Sequence, residues 1–252
     1  MGLVSAEGDE VILCRRDALV RIDTATKTVR QIDVPFSASF LSGKYLVDCE
    51  KNVYALDDME LRKIAKLKRN IFCLQERDGV VYVADRFGDV HIIENGTCRY
   101  VLGILSYMTG MAIHKQSILL SDKYGRIRVS ELGGRIIKYV FLHEPIESLL
   151  SVDRNVVSVS KCRVVLFSQA YAVKDEFVFS KEMSIIKCLC KGDDELVVVA
   201  KESYHVFRVG DNIEHVLSVE EAIVDAVCVG PVLYKVKENY KVVDTEGNVV
   251  YE

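Results

Sequence analysis

No tryptophan, only three prolines and no low-complexity tract occur in this chain of 252 residues. So few chain breakers, with fifteen glycines, imply short loops throughout, no linker and no second domain, so residues 1–252 read as one unit. No apolar run approaches the ~20 residues that a membrane helix needs. The opening, MGLVSAEGDE, lacks both a basic segment and a long apolar one, so it does not read as a secretory signal, and a soluble intracellular protein is expected. A basic excess is missing too: 33 Lys and Arg stand against 37 Asp and Glu, a net charge of −4. A domain that holds nucleic acid unaided is normally basic, so any RNA role should be shared with a more basic partner. Nothing resembles a nucleophile elbow, a P-loop or a Gly-rich methyl-donor loop, so no catalytic or cofactor-binding residue is expected.

The eight cysteines do not suggest a disulfide framework, which belongs to short secreted chains. Scattered through strand-like runs, they read as small buried hydrophobes. Cys188 and Cys190 share a strand face, but zinc knuckles usually space their cysteines C-x₂₋₄-C with further Cys or His partners, so no metal site is expected.

What the chain does have is a period. Seven apolar runs of three to five residues each lead into a turn carrying a basic residue, and a second strand-like run follows. The terminal basic residues are Arg16, Lys51, Arg86, Lys123, Lys161, Lys201 and Lys237, spaced by 35, 35, 37, 38, 40 and 36 positions. Such a period marks supersecondary units that cannot bury their own faces alone. The runs are short and rich in Val and Ile, which favours strands over helix. Around each hairpin the order is an inner strand a, central strands b and c, and an outer strand d; MTGMAIHK (108–115) reads as inner and TCRYVLG (97–103) as outer. The best helical candidate, Asp58–Arg69, falls where the period demands a d strand, ELRKIAKL. Seven four-stranded units of about 36 residues suit an all-β, seven-bladed β-propeller. The b–c turns are expected near 15–18, 50–52, 86–88, 122–126, 160–162, 201–204 and 237–240. Because the chain opens on an a strand (GLVSA) and closes on a d strand (248–252), the first and last blades should each be complete, without exchanged strands.

The turn-then-strand-c pattern resembles WD repeats whose Trp-Asp ending has degraded: Ile22-Asp23, Leu56-Asp57, Ile93-Glu94 and Val243-Asp244 keep an apolar–acidic pair. A narrower match covers about 70 residues. VYVADRFGDV (81–90), LGILSYMTGMAI (102–113), SDKYGRIRVS (121–130) and VFLHEPIES (140–148) follow in order. Together they resemble the WD-repeat, non-catalytic subunit of the eukaryotic tRNA guanine-N7 methyltransferase. The chain departs from that family at Ile104, where the family has His, at Leu142, where it has Gly, and at Tyr124-Gly125, where it has an acidic pair. The resemblance implies a heterodimer with an S-adenosylmethionine-dependent catalytic subunit, tRNA contacted indirectly through the complex, and a nuclear location. The methyl donor and the chemistry would belong to the partner, and no cofactor to this chain.

It also implies where docking would occur. That family uses basic residues of the fourth turn and the strand leaving it, here Lys123, Arg126 and Arg128, of which Arg128 matches the motif most specifically. Arginine suits the task because its planar fork can hold a carboxylate bidentately. Arg128→Glu, alone or with Arg126→Glu, is then expected to weaken docking without unfolding the propeller. A plain solvated turn is the competing reading. Arg86, Lys123 and Lys161 would lie on one rim and could face RNA, although Asp48, Glu50, Asp85, Asp122, Glu202 and Glu238 interleave with such cations as on an ordinary solvated surface. His143 stands where WD repeats carry a structural Gly-His whose ring hydrogen-bonds within the blade. Two other readings stay open: a WD scaffold in a different assembly, and a propeller enzyme, which the mostly apolar inner strands disfavour.

Overall fold

A computed structural model describes residues 3–15, 18–58, 60–104, 106–237 and 241–251. Among them every regular element is a strand. The strands form seven antiparallel sheets of four, each taken consecutively from the chain. Blade 1 runs from β1 (Leu3–Glu7) to β4 (Val29–Asp33), blade 2 from β5 (Ala38–Ser42) to β8 (Glu60–Lys66), and blade 3 from β9 (Ile71–Arg77) to β12 (Thr97–Gly103). Blade 4 runs from β13 (Met108–His114) to β16 (Ile136–Phe141), and blade 5 from β17 (Ser148–Val152) to β20 (Val173–Val178). Blade 6 spans β21 (Ile185–Lys191) to β24 (Ile213–Glu220), and blade 7 β25 (Asp225–Val229) to β28 (Val249–Tyr251). The all-β, seven-bladed propeller expected from the period is the architecture observed, and the helical candidate near residue 60 is the outer strand β8. The turns expected near 15–18 and 237–240 fall partly on residues outside the described ones.

The second strand of each blade is largely apolar because it feeds two interfaces. In β22 (Glu195–Ala200), Leu196, Val198 and Ala200 pack toward blade 5, while Val197 and Val199 pack toward blade 7. The strand period of two thus sends alternate residues to opposite faces, and here both faces are covered. The same logic produces seven buried clusters, one between each pair of neighbouring blades. Each fully buried Val, Leu or Ile contributes about 1.5–3 kcal/mol relative to exposure. Outer strands are more polar and largely exposed, as in β24.

A bulge recurs in the c–d pair at Val53/Tyr54, Val90/His91, Val129/Ser130, Leu166/Phe167 and Val206/Phe207. Its recurrence in blades 2 to 6, with a similar shift at Val242/Val243 in blade 7 and none among the described residues of blade 1, shows that the repeat extends to the local twist that a bulge adds.

Blades 1 and 7 are each built from their own strands, so no strand is exchanged among the described residues. The ring closes where β1 meets β25, and Val4, Val11, Leu13, Val20 and Ile22 pack against Val227, Val229, Tyr234, Val236 and Val242. Side-chain packing, not a shared sheet, holds the two ends together. The inner strands surround a central channel of about 1090 Å³.

Candidate interaction surface on the propeller rim

The b–c turns are built around buried side chains. Asp122, with no exposed surface, accepts from the backbone N–H of Tyr124 (2.9 Å) and of Arg126 (3.1 Å) through one carboxylate oxygen. Its other oxygen takes the Arg126 guanidinium, from Nε at 2.9 Å and Nη2 at 2.7 Å. Asp85 repeats the arrangement, accepting from the N–H of Phe87 and Asp89 and from Arg69. Asp48 takes the Asn52 backbone and side chain and the Tyr54 hydroxyl. Burial alone would raise the Asp48 carboxyl, but these hydrogen bonds outweigh it and hold the group below its ordinary range. In blade 5, Ser160 does the same work, accepting from the N–H of Cys162 and Arg163.

Asp48, Asp85 and Asp122 are therefore turn-forming residues, not the solvated interleaving charges that the sequence suggested. They also correct the register of the repeat. Asp48, Asp85, Asp122 and Ser160 are equivalent, so Lys51 matches Gly88 and Gly125 rather than Arg86 and Lys123. All three matched residues have positive φ: Lys51 at 71°, Gly88 at 88° and Gly125 at 78°. Each donates its N–H to the carbonyl of its turn aspartate, and each accepts from the residue that follows the outer strand or nearly so: Leu67, Ile104 and Leu142. Glycine is required at the fourth turn, since a Cβ on Gly125 would strike the backbone of Glu144.

Of the sequence-predicted docking residues, Arg126 spends its guanidinium on Asp122 while staying partly exposed. Arg128 is committed more deeply: it donates to Ser130 Oγ (2.9 Å), to the carbonyl of Gly134 (3.1 Å) and to that of Gly103 in blade 3. It joins two blades, so Arg128→Glu would disturb the fold as well as any docking, contrary to the expectation drawn from the sequence. Lys123 is exposed in the turn. Beside Arg126 in register lies Phe141, 58% exposed, whose ring neighbours those of Tyr139 and His143 along the edge of blade 4. His143 is itself exposed with positive φ and stacks on Phe141 instead of bonding within the blade; the buried residue at that corner is Leu142.

Arg86 and Lys123 come together on the rim, and Lys161 does not join them. The Arg86 guanidinium lies 5.8 Å and the Lys123 ammonium 5.6 Å from the centre of the Tyr107 ring. Lys123 also lies 4.9 Å from Tyr124, Arg86 5.1 Å from Phe72, and Arg69 5.3 Å from Phe87. Phe87 and Tyr107 are neighbours at 5.9 Å. Phe87, Tyr107 and Tyr124 are 58%, 45% and 65% exposed. Among the described residues neither Arg86 nor Lys123 is ion-paired. Sequence reasoning missed these aromatics, although a signal existed: Arg86-Phe87 and Lys123-Tyr124 are the same basic–aromatic pair at the same turn position. Lys161 occupies the turn of blade 5, where its carbonyl accepts from Met183 N–H.

The channel offers little chemistry. Burial pushes the thiols of Cys73, Cys188 and Cys228 up to about 12, far from the thiolate that nucleophilic attack needs. His114 Nδ1 lies 2.8 Å from the Ser151 hydroxyl, and burial lowers its pKa. No carboxylate is bonded to the other ring nitrogen among the described residues, so the pair lacks the third group that orients a general base. No three His, Cys, Asp or Glu among the described residues are grouped to hold a metal. Among the eight cysteines Cys14 is fully buried, Cys73, Cys162, Cys188 and Cys228 are half-buried, and Cys49, Cys98 and Cys190 are exposed, which corrects the reading of all eight as core residues.

No protein-family model matches this chain, and no curated protein sequence does. Solved structures match its fold. A chain of the mitotic checkpoint complex aligns with a TM-score of 0.73 at 9% identity, covering 95% of this chain and 85% of that one. Hsv2 of Kluyveromyces lactis aligns with a TM-score of 0.71 at 15% identity, covering 99% and 97%. The computationally designed protein Ika8 gives 0.69 at 13% identity, covering 95% and 81%. At such identities the likeness is one of fold alone: the chain is a seven-bladed β-propeller. Among the described residues no helix is long and apolar enough to cross a membrane.

Proposed function

We propose that this chain is a non-catalytic propeller subunit that docks an S-adenosylmethionine-dependent tRNA guanine-N7 methyltransferase as a heterodimer. It holds that enzyme in its active conformation and so permits guanine methylation in the tRNA variable loop, in the nucleus. What carries the reading is the run of four ordered segments between residues 81 and 148, which resemble that subunit and run through blades 3 and 4 to the start of blade 5. The edge of blade 4 supports a docking role, because exposed Tyr139 and Phe141 stand beside Arg126, and interface anchors are enriched in Tyr and Arg. A scaffold of this kind acts by population shift: it raises the fraction of the competent conformer by binding it better. Lys123 is the exposed cation of the docking surface, Arg126 lies beside it partly exposed and paired to Asp122, and Arg128 supports the surface by holding blade 4 to blade 3.

The test is to tag the chain, identify what co-purifies by mass spectrometry, and assay guanine-N7 methylation of tRNA with and without it. A methyltransferase partner whose activity falls when the chain is removed is the expected result. A stable partner of another kind, with tRNA methylation unchanged, would overturn the reading in favour of a scaffold for a different assembly. Lys123→Glu with Phe141→Ala should weaken the complex roughly tenfold or more while leaving the melting temperature unchanged, since both side chains are exposed.

A further inference from the structure

The rim of blades 3 and 4 carries an alternation of exposed rings and cations. Three large aromatic side chains lie in the open there, and three cations, Arg69, Arg86 and Lys123, sit over rings of the same patch. The nearby carboxylates are already spent. Asp85 and Asp122 are buried inside their turns, and Asp89 pairs with Arg69 at 2.8 Å. Arg69 is thus matched by Asp85 and Asp89, and Arg126 by Asp122, which leaves Arg86 and Lys123 as the cations of the patch without an ion pair among the described residues. Beside it lies a recess of about 320 Å³ that includes Arg69, Asp85, Asp89, His91 and Tyr100, a size at the lower end of small-molecule sites.

We propose that this patch binds single-stranded nucleic acid, with bases stacking on Phe87, Tyr107 and Tyr124 and phosphates meeting Arg86 and Lys123. Stacking platforms interleaved with cations suit unpaired strands, because every base has a π-face and every linkage a charge. A duplex keeps its bases stacked on one another and would leave the rings unused. An acidic peptide would engage the cations but has no flat groups for the rings. The inference does not depend on which enzyme the propeller docks; the two surfaces share Lys123, and Phe87, Tyr107 and Arg86 belong to this one alone.

Fluorescence anisotropy on the purified full chain at low salt tests it. The probes are a labelled ten-nucleotide RNA single strand of mixed sequence, the same strand annealed to its complement, and a labelled oligo-glutamate. The single strand should bind tightest of the three. Phe87→Ala with Tyr124→Ala should weaken it by about tenfold or more, as expected for losing two stacking partners. Arg86→Gln with Lys123→Gln should lower affinity and reduce the slope of log K against log salt by about 1.4, or about 0.7 for each lost phosphate contact. Equal melting temperatures of variants and parent establish that folding is intact. Unchanged affinity in the aromatic variant, tighter binding of the duplex or the peptide, or no binding of the single strand would each overturn the proposal.

Discussion

Asp122 shows how one buried side chain sets a turn. Its carboxylate satisfies two backbone N–H groups and one guanidinium, so Asp122→Ala leaves donors without acceptors in a site closed to water. Hydrogen bonds to a charged group are worth about 1.5–3 kcal/mol, and the loss should appear as a destabilisation of about 2–3 kcal/mol in urea unfolding. A loss under half a kcal/mol would mean that the turn holds without it. Lys51 makes the converse case. It occupies the left-handed position that Gly88 and Gly125 fill in the next two blades, with φ of 71°. A Cβ is disfavoured there, so Lys51→Gly should raise stability by about 0.5–1 kcal/mol. Lower stability of that variant would show that the lysine compensates through its side-chain bond to the Lys68 carbonyl.

Among the strands, blade 6 carries a cluster of histidines and aromatic rings. His205 of β23 (Ser203–Val209) stacks on Phe207 and lies edge-on to Phe179, and it shares the Ser218 hydroxyl with His215, each at 2.8 Å. Ser203, Glu220 and Lys181 complete its polar surroundings. Burial, then the neighbouring His215, lower its pKa, Glu220 opposes them, and Lys181 adds a smaller lowering. The folded chain therefore refuses a proton that the unfolded chain accepts, so stability falls as pH drops through the ordinary histidine value near 6.5. The melting temperature should fall between pH 7.5 and 5.5, and less so in His205→Gln. An identical fall in both proteins would exclude this cluster as the cause.

For the molecule as a whole, closure by packing alone has a consequence. Leu13, buried at the junction of blades 1 and 7, has no exchanged strand to reinforce its neighbourhood. Leu13→Ala should cost about 2–5 kcal/mol, as large-to-small core changes do. Hydrogen exchange should then accelerate first in blades 1 and 7, because a ring without a shared sheet opens where its ends meet. Uniform acceleration over all seven blades would show instead that the ring unfolds as one unit.

Blade number, strand order and most turn positions were legible along the chain, because a four-stranded unit buried on both faces must repeat its Val- and Ile-rich runs at one period. The outer strand β8 was legible for the same reason, despite its helix-like composition. Register within the turns was not, since exposed basic residues drift by two positions while the buried Asp48, Asp85 and Asp122 do not, and burial is invisible in a string of charges. The roles of Arg128 and His143 were likewise decided only in three dimensions: one reaches a carbonyl 25 residues away in the next blade, and the other is turned outward at a corner whose interior Leu142 has filled. The aromatic–cation rim is the clearest such case. Phe87, Tyr107 and Tyr124 lie far apart in sequence, and only the stacking of blade 4 against blade 3 gathers them with Arg86 and Lys123 into one surface.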